Sequence, residues 1–376
     1  MATRLVDQDF WRGRSVLVTG HTGFKGAWLT LWLQSMGAHV TGFSDEVPTT
    51  PSLFELARVG EPIADLRGDV RDHAAVLDAV AGHAPEIVIH MAAQAFVRRS
   101  FLDPRTTYET NVMGTVNVLE AVRATPAVRV VVNVTSDKCY DNREQRRPFV
   151  EEDPKGGHDP YSNSKGCAEL VADAYLRSFF GLGGTESDGP RLGSVRAGNV
   201  IGGGDWGEDR LIPDIMRGAL DGVPIAVRNT EAVRPWQHVL NPLSGYLRLA
   251  QALHADPALQ GGWNFGPAPG DAQPVRALAD RLTELWPGEL RWDLDSDPPT
   301  AHPHEAHFLA LDSTKAREQL GWRPTWDLDD ALGAIVEWYT ALRDGADMQA
   351  VTRAQIAAFE AAGAATSRAA RGPISS

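Results

Sequence analysis

The sequence predicts an α/β chain: a doubly wound parallel sheet with a smaller, irregular C-terminal lobe. Three observations lead there. Apolar runs ending in small or polar residues alternate with amphipathic segments from Arg14 to Val200, the rhythm of strands and helices joined by short connections. Gly20, Gly23 and Gly26 stand between the first apolar run and the first amphipathic segment, where a tight turn leads a strand into a helix. The chain has 376 residues, 43% of them hydrophobic, enough for a sizeable core in one large domain or one and a half.

Composition removes several classes. No stretch reaches the roughly 18 apolar residues of a membrane span. Met1-Ala2-Thr3-Arg4 does not open a secretory signal. Two cysteines cannot make a disulfide framework in a chain this long, so a reducing cytoplasm is the expected location. A formal net charge of -13 argues against a nucleic-acid partner, though not against a small anion held by a few local arginines. The 11 tryptophans are expected mainly as core and loop anchors.

The elements follow in order. Arg14 to Gly20 reads as the first strand, and the helix after it carries Phe24, Ala27, Trp28, Leu31 and Met36 in register. Glycines are needed between them because the backbone must approach a pyrophosphate at a helix N-terminus. Gly20, Gly23, Phe24 and Gly26 are therefore expected at a dinucleotide. The second strand, His39 to Phe43, ends in Ser44 and Asp45. An acidic residue there usually takes the adenosine ribose hydroxyls. Ser44 holds the expected position and Asp45 comes one later, so the choice between NAD and NADP stays open at this point, with Lys25 and Pro48-Thr49-Thr50-Pro51 nearby. A third strand, Pro62 to Val70, closes in Asp69 and Val70. The Asp69 carboxylate either faces the adenine amino group or caps the helix at His73 to Val80. The fourth strand, Glu86 onward, closes in the small stretch Ala92-Ala93-Gln94, against which a cofactor can lie. His90 is expected as a satisfied core residue. A helix from Pro104 to Ala124 follows and carries Asn111, grouped with the cofactor residues.

The fifth strand, Val128 to Val134, delivers Thr135-Ser136-Asp137-Lys138-Cys139-Tyr140 to the carboxyl edge of the sheet, where ligands bind in open α/β sheets. After a polar loop, Asp159 and Pro160 start a helix that places Tyr161 and Lys165 four apart on one face. Cys139 and Cys167 are expected to pack rather than react. The sixth strand, Gly193 to Val200, passes into Gly202-Gly203-Gly204. Beyond it the pattern loosens: Arg210 starts a short helix, Arg234 to His238 reads as a surface strand or loop, and Trp263-Asn264 as a strand end in the smaller lobe. The division expected is 1–192 for the nucleotide-binding domain, taking in parts of 193–206 and 233–250, then 207–345 for a partly interleaved substrate lobe. Residues 346–376 form a C-terminal helix and tail, fraying from Ala361.

Thr19-Gly20-x-x-Gly23-Phe24-x-Gly26 with Tyr161-x-x-x-Lys165 resembles the extended short-chain dehydrogenase/reductase superfamily. Seven stretches narrow the likeness: TGHTGFKG at 19–26, TSDKCYDN at 135–142, GGHDPYSNSK at 156–165, VRAGNVIGGGDW at 195–206, RLIPDI at 210–215, RPWQHV at 234–239 and HPHEAH at 302–307. Together they resemble the CDP-glucose 4,6-dehydratase family of sugar-nucleotide dehydratases, from about Phe10 to Tyr339. The resemblance implies a Rossmann lobe holding NAD, and conversion of CDP-D-glucose to CDP-4-dehydro-6-deoxy-D-glucose and water. It also implies a place in deoxysugar biosynthesis, O-antigen or another product. It places Asn199, Leu211 and Ile212 along the sugar-nucleotide pocket, and Asn264 and His304 near its far end. A homodimer pairing the helices near Pro104–Ala124 and Pro160–Phe180 is implied too, with Val171, Tyr175 and Phe179 outward.

The residues supply the chemistry this needs. Oxidation at C4 requires a base. A free tyrosine titrates near about 10, so Tyr161 needs its anion stabilised, and Lys165 one turn away suits that task. Ser136 positions the sugar. Elimination across C5 and C6 requires an acid and a base: Asp137 toward the C6 oxygen and Lys138 at C5. The dTDP-glucose enzymes of this superfamily carry Asp-Glu here, and the Asp-Lys of this chain follows the CDP-glucose group. Arg210 and Arg234, with Arg98, are expected to grip the diphosphate. His302, His304, Glu305 and His307 have metal-ligand spacing, yet the scheme needs no metal and none is expected. Two rival readings are an epimerase or dehydratase for a dTDP-, UDP- or GDP-hexose, and a dinucleotide-sensing module without turnover.

Overall fold

The computed structural model describes residues 6–145, 147–181, 189–295 and 308–369. Seven parallel strands form one sheet: β1 Ser15–Thr19, β2 His39–Ser44, β3 Ala64–Arg67, β4 Ile87–His90, β5 Val130–Val134, β6 Arg191–Arg196 and β7 Gly261–Asn264. Their spatial order is β7-β6-β5-β4-β1-β2-β3. The order reverses between β1 and β4, where Thr19 stands beside His90, and that crevice is where a doubly wound sheet binds ligands.

Strand residues alternate between two apolar layers, as a period of two requires. Val16 and Val18 face one layer and Leu17 the other; Ile87 and Ile89 oppose Val88, and Val130 and Val132 oppose Val131. The first layer takes α1 (Phe24–Ser35), α6 (Leu240–Ala255) and the C-terminal helices. The second takes α2 (His73–His83), α3 (the helical run 104–123) and α4 (Pro160–Ser178). The continuous apolar strands reflect burial on both faces. Beyond the sheet lie α5 (Leu211–Asp221), α7 (Val275–Leu285), α8 (Leu328–Arg343) and α9 (Met348–Ala369).

Six tryptophans, at 11, 28, 32, 263, 322 and 338, are among the largest fully buried side chains. Their indole N–H groups also lock elements together: Trp28 donates to Gly203 O at 2.9 Å, Trp32 to Glu360 at 2.8 Å, and Trp338 to Thr352 at 3.0 Å. A buried indole without such a partner costs stability, so each bond fixes a docking register.

Several expectations are corrected. β7 is not part of a separate lobe: it pairs with β6, Trp263 against Val195, and completes the main sheet. The stretch at Arg234 to His238 is largely interior; Trp236, Gln237 and His238 are buried, and residues 237–238 pair with 200–201. The chain does not fray at Ala361, because α9 continues to Ala369. α3 is not one uniform helix: Pro104–Tyr108 and Gly114–Arg123 flank a π-helical turn at Glu109–Met113. The extra residue in that turn rotates Asn111 inward, an arrangement that propensity and period alone do not signal.

Candidate active site

A cleft of about 1760 Å³ runs along the carboxyl ends of the strands. It is lined in succession by Ser44, Asp45, Asp69 and Val70, then by Gly20, Gly23, Phe24, Gly26, Ala92, Ala93 and Gln94. Ser136, Asp137, Lys138, Tyr161 and Lys165 follow, and Arg98, Asn199, Arg210, Leu211, Ile212 and Arg234 complete it.

The glycine turn has the shape of a pyrophosphate cradle. Gly20 has φ +75°, and a Cβ on Gly26 would lie 2.1 Å from the Gly20 carbonyl oxygen, so only glycine brings α1 this close to the turn. The N-cap of α1 is Gly23, with no side-chain cap bond, which leaves backbone N–H groups facing the cleft. At the ribose end Ser44 is buried and its hydroxyl meets His21 Nδ1 at 3.1 Å, while His21 Nε2 meets Asp65 at 2.8 Å. His21 was not singled out by its place in the motif; its ring fills the space beside Gly42. Asp69 pairs with Arg71 at 2.7 Å, and the cap of α2 is Asp72, whose carboxylate accepts from the N–H groups of Ala74 and Ala75. His90 is a satisfied core residue, bonded to Thr19 at 2.7 Å and held down to about 3 by burial.

Two site assignments are corrected. Asn111 does not reach the cleft: its Oδ1 accepts from the Gln94 N–H at 2.8 Å and its Nδ2 donates to Gln94 O and Ser164 Oγ, so it braces the cleft wall from behind. Asn264 is fully buried, accepting from the Tyr140 hydroxyl at 2.7 Å and donating to Phe149 O and Asp312 O, which leaves nothing for a ligand. His304, with His302, Glu305 and His307, lies outside the described residues.

The reacting groups come from two elements. α4 starts at the Asp159 cap, which accepts from Ser162 N–H at 2.8 Å, and carries Tyr161 and Lys165 into the cleft. Burial pushes the Tyr161 phenol up to about 12, the Asp137 charge adds to the rise, and Ser136 and Arg210 work against it. Lys165 is pushed down to about 8, first by burial and then by Lys25, and its Nζ donates to Val134 O at 3.4 Å. The loop after β5 supplies the other groups. Asp137 is buried, its Oδ1 accepts from Ser136 Oγ at 3.0 Å, and Oδ2 lies against Gly198 without a hydrogen-bond partner. Burial raises its carboxyl above the usual range, outweighing Lys138, Ser136 and Lys25. A raised carboxyl favours the protonated form, the form that can give a proton to a leaving group. Lys138 is half-buried beside it, its own N–H bonded to Ser136 Oγ at 3.2 Å.

The arginines arrive already engaged. Arg210 meets both oxygens of Asp205 at 3.1 Å, and Arg98 meets Asp209 at 3.0 Å. Lys25 was placed by sequence near the ribose; instead its charge acts on Asp137, Arg210 and Lys165, at the other end of the cofactor cradle. Its position between Phe24 and Gly26 at the helix N-terminus is the signal that could have located it.

A model of the NAD dependent epimerase/dehydratase family matches residues 16–262. The chain belongs to that family. Within it, the chain is 51% identical over 359 residues to CDP-glucose 4,6-dehydratase of Salmonella typhimurium, covering 95% of this chain and 99% of that one. It is 29% identical to dTDP-glucose 4,6-dehydratase of Xanthomonas campestris pv. campestris, covering 86% of this chain and 92% of the relative. Among solved folds, UDP-glucose 4-epimerase of Thermus thermophilus, in complex with NAD, superposes with a TM-score of 0.72 at 24% identity, covering 86% of this chain and 98% of that one. DesIV of Streptomyces venezuelae, a dTDP-glucose 4,6-dehydratase, gives 0.71 at 24% identity, covering 89% and 99%.

Proposed function

We propose that this protein is an NAD-dependent hydro-lyase that converts CDP-D-glucose to CDP-4-dehydro-6-deoxy-D-glucose and water. One observation carries the reading: a buried Asp137, its carboxyl raised by that burial, and the adjacent Lys138 share a cleft with Tyr161 and Lys165. An epimerase has no use for that second pair. The nucleotide is taken from the Salmonella relative.

NAD, held along Gly20, Gly23, Gly26, Ala92 and Ala93, supplies the hydride acceptor and later the hydride donor. The rest is the work of side chains. Tyr161 accepts the proton of the C4 hydroxyl, and Ser136 orients the sugar. Burial opposes the phenolate, so Tyr161 serves as base only as cations offset that: Arg210 already works against the rise, and Lys165 stands one turn on along the same helix. Once C4 is a ketone the C5 proton is acidic, and Lys138 takes it. Asp137 gives its proton to the C6 hydroxyl, which leaves as water. Lys138, whose ammonium exchanges with solvent, then gives a proton back to C5 as hydride arrives at C6. The proton gained by Tyr161 equals the one lost by Asp137, and Ser136, bonded to Asp137 Oδ1, stands beside both. Arg98, Arg210 and Arg234 suit the diphosphate, Arg98 and Arg210 trading or sharing their carboxylate partners with it.

The reading extends to setting and assembly. The two-part division with a boundary near residue 192 is kept, with β7 returned to the sheet. Among the described residues no helix is long and apolar enough to cross a membrane, in keeping with a cytoplasmic step of deoxysugar synthesis such as O-antigen supply. A homodimer through α3 and α4 fits exposed Met113, Leu170 and Phe179 on those helices. Val171 and Tyr175, expected outward, pack instead against the inner layer, and the Tyr175 hydroxyl donates to Glu120 at 2.7 Å.

The test is a panel of CDP-, dTDP-, UDP- and GDP-glucose with NAD, scored for loss of water. CDP-glucose should give the highest kcat/KM. Equal or better turnover of another nucleotide would overturn the substrate, and epimerised product of unchanged mass would overturn the reaction.

A further inference from the structure

Thr135 and Tyr140 bracket the stretch that holds Ser136, Asp137 and Lys138, and both are tied to one buried ion pair. Arg196, the last residue of β6, grips Glu169 of α4 through two bonds, Nη2 to Oε2 at 2.7 Å and Nε to Oε1 at 2.8 Å. Both side chains are about 4% exposed. Thr135 Oγ1 donates to Glu169 Oε1. Arg196 Nη1 donates to the Tyr140 hydroxyl at 2.7 Å. Burial pulls the Glu169 carboxyl upward, but the Arg196 charge and the bonds from Arg196 and Thr135 outweigh it and hold it below its ordinary range.

As a source of stability such a pair is weak, because removing two charges from water costs about as much as their attraction returns. Its connections indicate a different role. Glu169 lies one helical turn beyond Lys165 on α4. Arg196 follows Val195, which pairs with Val134 at the end of β5. The pair therefore sits where the loop bearing Asp137 and Lys138 meets the helix bearing Tyr161 and Lys165. Tyr140 is steadied on its other side by Phe149, with ring centroids 4.7 Å apart and planes 15° from parallel.

We propose that Glu169 and Arg196 are positioning residues that hold the elimination pair in register with the oxidation pair. The proposal rests on the dehydration reading given above. Its consequence is a separation of steps. Oxidation at C4 takes its base and cation from α4, which the sheet and the Asp159 cap already fix, and from the loop only Ser136, which is bonded to Asp137 and not to the ion pair. Elimination requires the loop at 135–140 to face the same sugar at the same moment, and small displacements there are expensive in rate. Loosening the ties slows elimination and spares oxidation.

Removing Glu169 or Arg196 outright strands a buried charge and endangers folding. Thr135→Val and Tyr140→Phe instead keep the ion pair and each delete one hydroxyl. With CDP-glucose and NAD, water loss should fall roughly 3- to 10-fold in each variant, the value of one or two hydrogen bonds, since Tyr140 also bonds Asn264 and Thr135 also bonds Val195 O. KM and the rate of first hydride transfer in a single turnover should stay near wild type, so reduced cofactor accumulates during steady turnover. If hydride transfer and water loss slow by the same factor, or neither slows, the positioning role is wrong while the dehydration reading stands. If the wild-type protein releases no water from CDP-glucose, the dehydration reading falls and takes this proposal with it.

Discussion

Asp137 carries the sharpest conflict between stability and chemistry at a single residue. Its carboxyl is raised by burial, so ionising it in the folded state is penalised. The sign follows from linkage. Below the ordinary carboxylate pKa of about 3.9 the folded and unfolded forms are both protonated and no penalty exists. As pH rises from there toward the folded-state value, the unfolded chain ionises first and stability drains away. Asp137→Asn removes the penalty, so it should melt higher than wild type near neutral pH, by roughly 1–3 °C, with the gap closing in acid. It should also lose elimination. Thermal melts at several pH values check the first claim, and water release the second. Lys138→Ala makes a separate prediction: exchange of the substrate C5 proton with solvent should fall by at least about 100-fold, the lower range for losing a general base. C5 exchange at the wild-type rate would remove Lys138 from its role. The pair was visible in the sequence because two chemically odd neighbours follow an apolar strand. The buried state of Asp137 was not, because it depends on Gly198, sixty-one residues later, leaving room for the carboxyl.

At the scale of elements, the loops that join strand to helix set the geometry, and glycine is the sensitive component. A Cβ on Gly198 would stand 2.2 Å from Asp137 Oδ2. Gly198→Ala should displace Asp137, lower kcat by about 100-fold or more, and leave cofactor affinity essentially unchanged. Gly26→Ala acts elsewhere: pushing α1 off Gly20 should cost on the order of 1–3 kcal/mol of stability and weaken NAD binding. Titration calorimetry with NAD beside steady-state kinetics separates the two outcomes. The strands and helices up to residue 200 were legible because their periods of 2 and 3.6 are strong and their connections short. The π turn at Glu109–Met113 was not, since one extra residue in a helix leaves the apolar pattern readable as α throughout. The place of β7 in the main sheet escaped because Gly261–Asn264 is short and its partner is chosen by β6 rather than by its own sequence.

The whole molecule is a sheet whose switch point brings three distant regions to one cleft. Sequence could bring the ends of the first four strands to one cleft wall, because those residues follow successive strands in order. It could not place the arginine partners Asp205 and Asp209, or the turn of Asn111 and Asn264 away from the cleft, since those depend on how loops fold back across the sheet. Assembly belongs to this scale too. Leu170 is 58% exposed and Met113 50%. In a homodimer through α3 and α4 they are covered, so Leu170→Glu should shift sedimentation from dimer to monomer; an unchanged mass would place any interface elsewhere. The central claim is that the acid and amine beside the Tyr161–Lys165 pair turn a sugar oxidation into a loss of water. Its most direct measurement is the mass of the sugar nucleotide formed from CDP-glucose with NAD in deuterated water: a product one water lighter carrying deuterium at C5 is the result expected here, and a product of unchanged mass contradicts it.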